Sequence, residues 1–370
     1  MRPAAAQPTP DSLREQGPTV WTDDAVRARA VVEPWTISIA AGALYFYSAR
    51  DGLIMSYVAS MLAALLAALW PLWRSYGLPW GWRPHPAKLL ALARRNIPLA
   101  AADAAEWGSR RLDLAILGLF ASPAVVGIYY VAQQVASLPQ KLKTSFDPIL
   151  GPVITRNLQT GNLGEIARQV GQVGFWIIAA QAGIALALGI PGEAVMGLVG
   201  PEFVGGTAAA CFLLAAEVAA ATAVVSESAL VYMARHRNLL ISMGMLATQT
   251  AFSLILIEAV EMLNVRPEAK GMFQAAAVAM ALMIALGIAS LVKSRLLEHL
   301  LGARIHIWRW ALVWAVAAAT VLGYLATRLP EWVELTLGVP GILALYCTVI
   351  WKKGFGPDDR ALFRKAKEAD

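Results

Sequence analysis

The chain has 370 residues, of which 58% are hydrophobic and only 15% are charged. A soluble domain carries about 25% charged residues, so this composition excludes an ordinary soluble globular protein and indicates a polytopic membrane protein. The net charge of +6 does not indicate nucleic-acid binding, because excess Lys and Arg in a membrane protein usually marks cytoplasmic loops. Cys211 and Cys347 both fall in apolar segments, so we expect neither a disulfide framework nor a metal site.

Residues 1–33 are rich in Pro and Ala and contain no apolar run of signal-peptide type, so we expect a disordered cytoplasmic tail. Ten apolar segments that are candidates to span the bilayer follow this tail. The last of them contains Gly338, Pro340 and Gly341, which we expect to interrupt its helix. The segments are 35–48, 53–73, 97–120, 125–142, 170–190, 207–232, 239–262, 272–293, 308–327 and 333–351.

The pattern predicts an all-α bundle of about ten transmembrane helices. We expect a two-helix remnant and basic loop at 34–96, and a six-helix lobe at 97–294. A basic linker with two further helices follows at 295–351, and a cytoplasmic tail at 352–370. Lys and Arg concentrate in alternate loops throughout the chain, which predicts an even number of spans with both termini in the cytoplasm.

The third span, 97–120, carries more charge than a lipid-facing helix tolerates. Each charge at mid-membrane costs about 2.5 to 3.5 kcal/mol on insertion scales. Asp103, Glu106, Arg110 and Asp113 share one helical face within about 80° of arc, and Arg111 points about 100° further round. We expect this face to border a water-filled path inside the bundle.

Short motifs from the third span onward are in the order and spacing of a known family. The chain resembles the second lobe of polysaccharide flippases, which belong to the multidrug/oligosaccharidyl-lipid/polysaccharide exporter superfamily, over about residues 97 to 293. The motifs are Arg111-Leu112-Asp113, Leu117-Gly118, Phe120, Ser122, Val126-Gly127-Ile128-Tyr129, Ala132, Gly151-Pro152, Ile154, Gly161, Gly200-Pro201-Glu202-Phe203 and Leu213-Leu214-Ala215.

The resemblance implies two helical lobes around a central cavity and twelve or fourteen helices. By that template the third to eighth spans match helices seven to twelve, whereas only two spans precede them where six are expected. We therefore expect either a truncated or inactive form, or a second chain that supplies the missing wall.

Arg110 and Arg111 are the candidates for binding a phosphate, because a guanidinium matches phosphate oxygens and stays charged. The alternative for Arg110 is a pair with Glu106 or Asp113 on its own helix. Gln133 and Gln134 in the fourth span either bind sugar hydroxyls or hold helices together. Lys141 either guides an anionic headgroup or only marks the cytoplasmic side.

Carboxylates inside the spans are candidates for coupling transport to protons or sodium ions, because burial makes their ionisation sensitive to water access. Structural pairing with arginine is the alternative reading. The coupling candidates are Asp103, Glu106, Asp113 and Glu217.

The sequence contains no nucleotide-binding loop and no hydrolase or dinucleotide motif, so we expect neither enzymatic activity nor a cofactor. The resemblance implies translocation of a lipid-linked oligosaccharide, carried on a phosphate-bearing polyprenyl lipid, across the bacterial cytoplasmic (inner) membrane. The product would serve surface polysaccharides such as lipopolysaccharide O-antigen. The alternatives are a cation-coupled drug exporter of the same superfamily and a non-transporting scaffold or truncated remnant.

Overall fold

The computed structural model describes residues 31–45, 51–76, 85–159, 161–263, 265–305 and 307–356. These ranges form helices and short turns without any β-strand, which confirms the all-α prediction for them. The helices are α1 (Glu33–Tyr45), α2 (Asp51–Tyr76), α3 (Pro86–Phe120), α4 (Pro123–Gln159), α5 (Leu163–Gly189), α6 (Gly192–Gly197), α7 (Thr207–Met233), α8 (Arg235–Met262), α9 (Pro267–Leu301), α10 (Trp310–Ala326) and α11 (Glu331–Gly354). The predicted tails at 1–33 and 352–370 lie largely outside the described residues.

Six segments of the described chain are long and apolar enough to cross a bilayer, which supports a multi-pass membrane protein. These segments fall on α2, α5, α7, α8, α9 and α11. Each of the ten predicted spans overlaps a helix, but the count of ten membrane crossings stays a prediction.

The other four predicted spans are too short, too charged or too polar to be counted among these six segments. α1 has 13 residues and α10 has 17. At 1.5 Å per residue these helices cover only about 20 and 25 Å of a hydrocarbon core about 30 Å thick. α3 carries the five charges between residues 103 and 113, and the glutamines of α4 lower its mean hydropathy.

The chain divides into two compact units, residues 1–89 and 90–370. In the first unit α1 packs against α2 at Gly52. A Cβ at Gly52 would lie 2.6 Å from the Leu44 carbonyl oxygen. This close approach therefore requires glycine.

Two apolar cores hold the second unit together. One includes Phe175, Leu230 and Leu297 and joins α5, α7, α9, α10 and α11. The other includes Leu117 and Tyr129 and joins α3, α4, α7 and α9. α7 and α9 contribute to both cores. The two C-terminal helices pack directly on α5 inside the first core.

α9 extends to Leu301, beyond the end at residue 293 that the sequence pattern predicts for the eighth span. Charged residues after the apolar run do not end the helix, because an exposed helix continues readily into the polar interface. The stop comes at Gly302, whose φ of 64° is left-handed and favours glycine. Part of the predicted basic linker is therefore helical.

The expected interruption of the last span is wrong. α11 continues past Pro340, with a π-helical turn at Glu334–Gly338 directly before it. Pro340 has no N–H to donate to the preceding turn, and a widened turn accommodates its ring without breaking the helix.

Arg309 connects the C-terminal helices to α5. Its Nη1 donates to the Gly354 carbonyl oxygen at 2.5 Å, and its guanidinium carbon lies 4.1 Å from the centroid of the Phe175 ring. The Phe355 ring packs edge-on against Phe175 and Trp351. A cation thus satisfies a carbonyl at the end of α11, where the helix dipole favours positive charge.

A buried ion pair joins α7, α8 and α9. Lys293 Nζ donates to Glu227 Oε2 at 2.9 Å, and Asn238 Nδ2 donates to Glu227 Oε1 at 3.0 Å. The side chains of Lys293 and Glu227 are 5% and 17% exposed. Each charge therefore depends strongly on its partner, since little water reaches it.

One turn before Lys293, Ser290 enters the hydrogen-bond ladder of α7. Its hydroxyl donates to the Ala219 carbonyl oxygen at 2.5 Å and accepts from the Ala223 N–H at 3.2 Å. These two backbone groups are the partners of one i to i+4 bond, so the hydroxyl bridges them from a neighbouring helix.

We expect Lys293→Met to destabilise the chain by about 3 kcal/mol, because it leaves the Glu227 carboxylate buried without its ammonium partner. The double variant Lys293→Met/Glu227→Leu should recover most of this loss. Thermal unfolding of the purified protein in detergent, followed by tryptophan fluorescence, measures both effects.

Lys270→Gln is the matched control. Lys270 also pairs with a glutamate, Glu261, but these side chains are 37% and 38% exposed. An exposed pair contributes about 0 to 1 kcal/mol, so this variant should unfold close to wild type. Equal destabilisation by Lys293→Met and Lys270→Gln would contradict the assigned role of the buried pair.

Candidate polar cavity between four helices

One face of α4 is polar over three turns. The polar positions are spaced by three and four residues, which places them on one side of the helix. Apolar positions between them, such as Ala132 and Ala136, are buried in the second core. The polar residues are Tyr130, Gln133, Gln134, Ser137, Gln140 and Lys141.

This polar face forms one wall of a cavity of about 300 Å³. Arg111 of α3 and Glu217 of α7 add charged side chains to the lining, and Leu213 and Leu282 add apolar surface. The cavity thus lies between α3, α4, α7 and α9. Its size is at the lower end of the range of small-molecule sites.

The cavity carries more positive than negative charge. Arg111 and Lys141 are exposed, whereas Glu217 is 6% exposed and part of the packed wall. Among the described lining residues these two cations face a single carboxylate. With three amide side chains beside them, the lining suits an anionic group that also carries hydroxyls.

A buried carboxylate lies behind this wall. Asp113 of α3 is fully buried, and its Oδ2 accepts the Tyr129 hydroxyl and the Gln133 Nε2, each at 2.7 Å. A carboxylate only accepts hydrogen bonds, so the NH₂ group of Gln133 faces Asp113. The Asp113 carboxylate thereby fixes the orientation of an amide that also lines the cavity.

Five of the residues singled out in the sequence line this one cavity, and a sixth contacts its wall from behind. Their roles in substrate binding and ion coupling stay predictions. The five lining residues are Arg111, Gln133, Gln134, Lys141 and Glu217, and the sixth is Asp113.

The arrangement differs from the expected polar face of α3. Asp113 is buried against α4 and is absent from the described cavity lining, whereas Arg111, expected to point elsewhere, lines it. The helical wheel gives directions about one helix axis but not the position of the neighbouring helix. The side chains of Asp103, Glu106 and Arg110 lie outside the described part of the structure.

The sequence analysis did not single out Tyr130, Ser137 and Gln140, which complete the wall. The missed signal is polar residues recurring every three or four positions through an otherwise apolar helix. Gln133 and Gln134 are two members of that longer pattern.

Within the described residues, no group of three or more His, Cys, Asp or Glu side chains has an arrangement that could hold a metal ion. Comparison of the chain with protein-family models, curated proteins and solved structures finds no match. The link to polysaccharide flippases therefore rests on the motifs in the sequence.

We expect Tyr129→Phe to lower the free energy of unfolding by about 2 kcal/mol, because it removes a hydroxyl donor from a buried carboxylate. The ring and its packing remain, so the loss reports the hydrogen bond to Asp113. Tyr129 is fully buried. Thermal or denaturant unfolding in detergent measures the change.

Tyr130→Phe provides the control at the next position. Tyr130 lines the cavity and is 45% exposed, so loss of its hydroxyl should change stability by less than about 0.5 kcal/mol. A similar loss in both variants would show that the Asp113 contact contributes no particular stability.

Proposed function

We propose that the cavity binds the headgroup of a lipid-linked oligosaccharide and that the chain takes part in its translocation across the bacterial cytoplasmic membrane. This translocation would supply the oligosaccharide for assembly of surface polysaccharides. Its main support is the common cavity of Arg111, Lys141, Gln133 and Gln134, together with the resemblance of the motifs to polysaccharide flippases.

The chemistry of the headgroup matches this lining. A lipid-linked sugar joins its glycan to a polyprenyl chain through phosphate, and a bare phosphate cannot enter about 30 Å of hydrocarbon without a large desolvation cost. Arg111 and Lys141 replace its lost water with charged donors. Gln133 and Gln134 supply donors and acceptors for hydroxyl groups, while the hydrocarbon tail stays in the bilayer.

Glu217 is the described carboxylate best placed for ion coupling in this proposal. It lies on α7, it is largely buried, and it lines the same cavity as the two cations. Taking up a proton or a sodium ion would change the charge seen by the headgroup. Asp113 affects the cavity through its hydrogen bond with Gln133.

Alternating access requires a second wall that moves against the first. We propose that helices α3 to α9 form one lobe, and that another chain contributes to the opposing wall. The ten membrane crossings and the cytoplasmic location of both termini belong to this proposal. A non-transporting membrane scaffold is its direct competitor.

A drug exporter of the same superfamily is the second candidate. Glu217 and the exposed ring of Tyr130 favour it, because an acid and an aromatic ring suit an organic cation. The two cationic side chains in the same cavity oppose it. Loss of the gene should then sensitise cells to cationic drugs, whereas our proposal predicts a defect in surface polysaccharide.

We expect Arg111→Gln to weaken binding of a polyprenyl-diphosphate oligosaccharide at least about tenfold, because it removes a charge-assisted hydrogen bond. Arg111→Lys should bind with intermediate affinity, since it keeps the charge but not the forked geometry. Binding to the purified protein in lipid nanodiscs measures this without requiring the second lobe.

Arg304→Gln is the matched control, because Arg304 is exposed and is not among the described lining residues. It should bind like wild type. If Arg111→Gln and Arg304→Gln bind equally well, the phosphate role of Arg111 is wrong. If Arg111→Gln instead improves binding of an organic cation, the result supports a drug exporter.

A further inference from the structure

The last turns of α9 carry an outward stripe in which apolar residues are followed by basic ones. Leu291, Val292 and Leu296 form its apolar part, and Arg295 and His299 form its basic part. The spacing of three, four and eight residues keeps all five within about 140° of arc on the helix. They line a surface groove of about 550 Å³.

Four of the five side chains of this stripe face away from the packed bundle, whereas Leu296 is half-buried and packs against the first apolar core. The side chains of Leu291 and Val292 are 65% and 44% exposed, and Arg295 and His299 are exposed as well. Lys293, between them in the sequence, points inward to Glu227. The basic side chains of this segment therefore divide between Lys293 inside the bundle and Arg295 and His299 on its surface.

The acidic residue that lies within the sequence of the stripe is engaged elsewhere. Glu298 is the carboxylate nearest in sequence, and its Oε1 accepts the Ile305 N–H at 3.0 Å. That contact directs Glu298 toward the turn that follows α9. The outward face keeps the positive charge of Arg295 and an imidazole N–H donor from His299.

The length of α9 and two exposed tryptophans after it predict that the stripe lies where the hydrocarbon core meets the lipid headgroups. α9 has 35 residues, which at 1.5 Å per residue span about 52 Å, well beyond a hydrocarbon core about 30 Å thick. Trp308 and Trp310, just after this helix, are 65% and 72% exposed. Exposed tryptophans of this kind mark the membrane interface.

We propose that this stripe binds an anionic phospholipid. One acyl chain packs along Leu291 and Val292, and the phosphate accepts hydrogen bonds from Arg295 and His299. The order along the helix carries the assignment, because a lipid presents its tail toward the midplane and its charge toward the interface, about 12 Å apart over eight residues. The proposal is independent of the function assigned to the cavity.

Native mass spectrometry of the purified protein tests this lipid site. It compares the retention of phosphatidylglycerol and phosphatidylcholine that carry identical acyl chains. Wild type should retain phosphatidylglycerol in preference to phosphatidylcholine. Arg295→Gln should retain about fivefold less phosphatidylglycerol, the effect of one basic residue near a lipid surface, and His299→Gln should also retain less. Retention of phosphatidylcholine should change little in either variant.

Arg304→Gln is the control, because Arg304 is an exposed arginine beyond the end of α9 and outside the stripe. It should retain phosphatidylglycerol like wild type. Equal retention of the two lipids by wild type, or equal losses in Arg295→Gln and Arg304→Gln, would overturn the proposal. Unfolding temperatures in lipid-free detergent should match among the variants, which separates lipid loss from misfolding.

Discussion

Polar side chains within an apolar helical bundle must find their partners inside the bundle, because hydrocarbon offers none. This requirement determines how α7 and α9 are joined. Lys293 and Asn238 both contact Glu227, and Ser290 contacts the backbone of α7 one turn away. These contacts lie beside two cores built largely from alanine, leucine and isoleucine. Such side chains supply buried contact area but do little to fix which faces of the helices meet. The few polar contacts therefore define which helix faces meet.

The same requirement separates charges used inside the bundle from those presented outside it. Asp113 and Arg111 are two residues apart on α3, yet Asp113 is buried against Tyr129 and Arg111 lines a cavity. Lys293 and Arg295 are two residues apart on α9, and only Lys293 is buried. A separation of two residues turns a side chain by about 200° around the helix. Charges two residues apart in one helix are thus buried on one face and line a cavity or a surface groove on the other.

Hydrophobic pattern was sufficient to predict the helices and poor at predicting their limits. Each predicted span overlaps a helix, but α9 passes residue 293 and stops at Gly302, because a helix ends where its backbone conformation changes and not where its apolar run ends. The candidate site was likewise predictable only in part. Gln133 and Gln134 stood out as polar residues in an apolar segment, whereas the burial of Asp113 depended on where α4 packs. Sequence periodicity gives angles about one axis and contains no information on the neighbouring axis.

The hydroxyl of Ser290 also bears on the mechanics of α7. A hydroxyl both donates and accepts, so it can hold the Ala219 carbonyl and the Ala223 amide even when these two groups separate. Elsewhere in an apolar helix, opening the ladder would expose an amide and a carbonyl to hydrocarbon at a cost of several kcal/mol. The Ser290 hydroxyl therefore lowers the cost of bending α7 between residues 219 and 223, and a bend there would tilt Glu217 relative to Glu227.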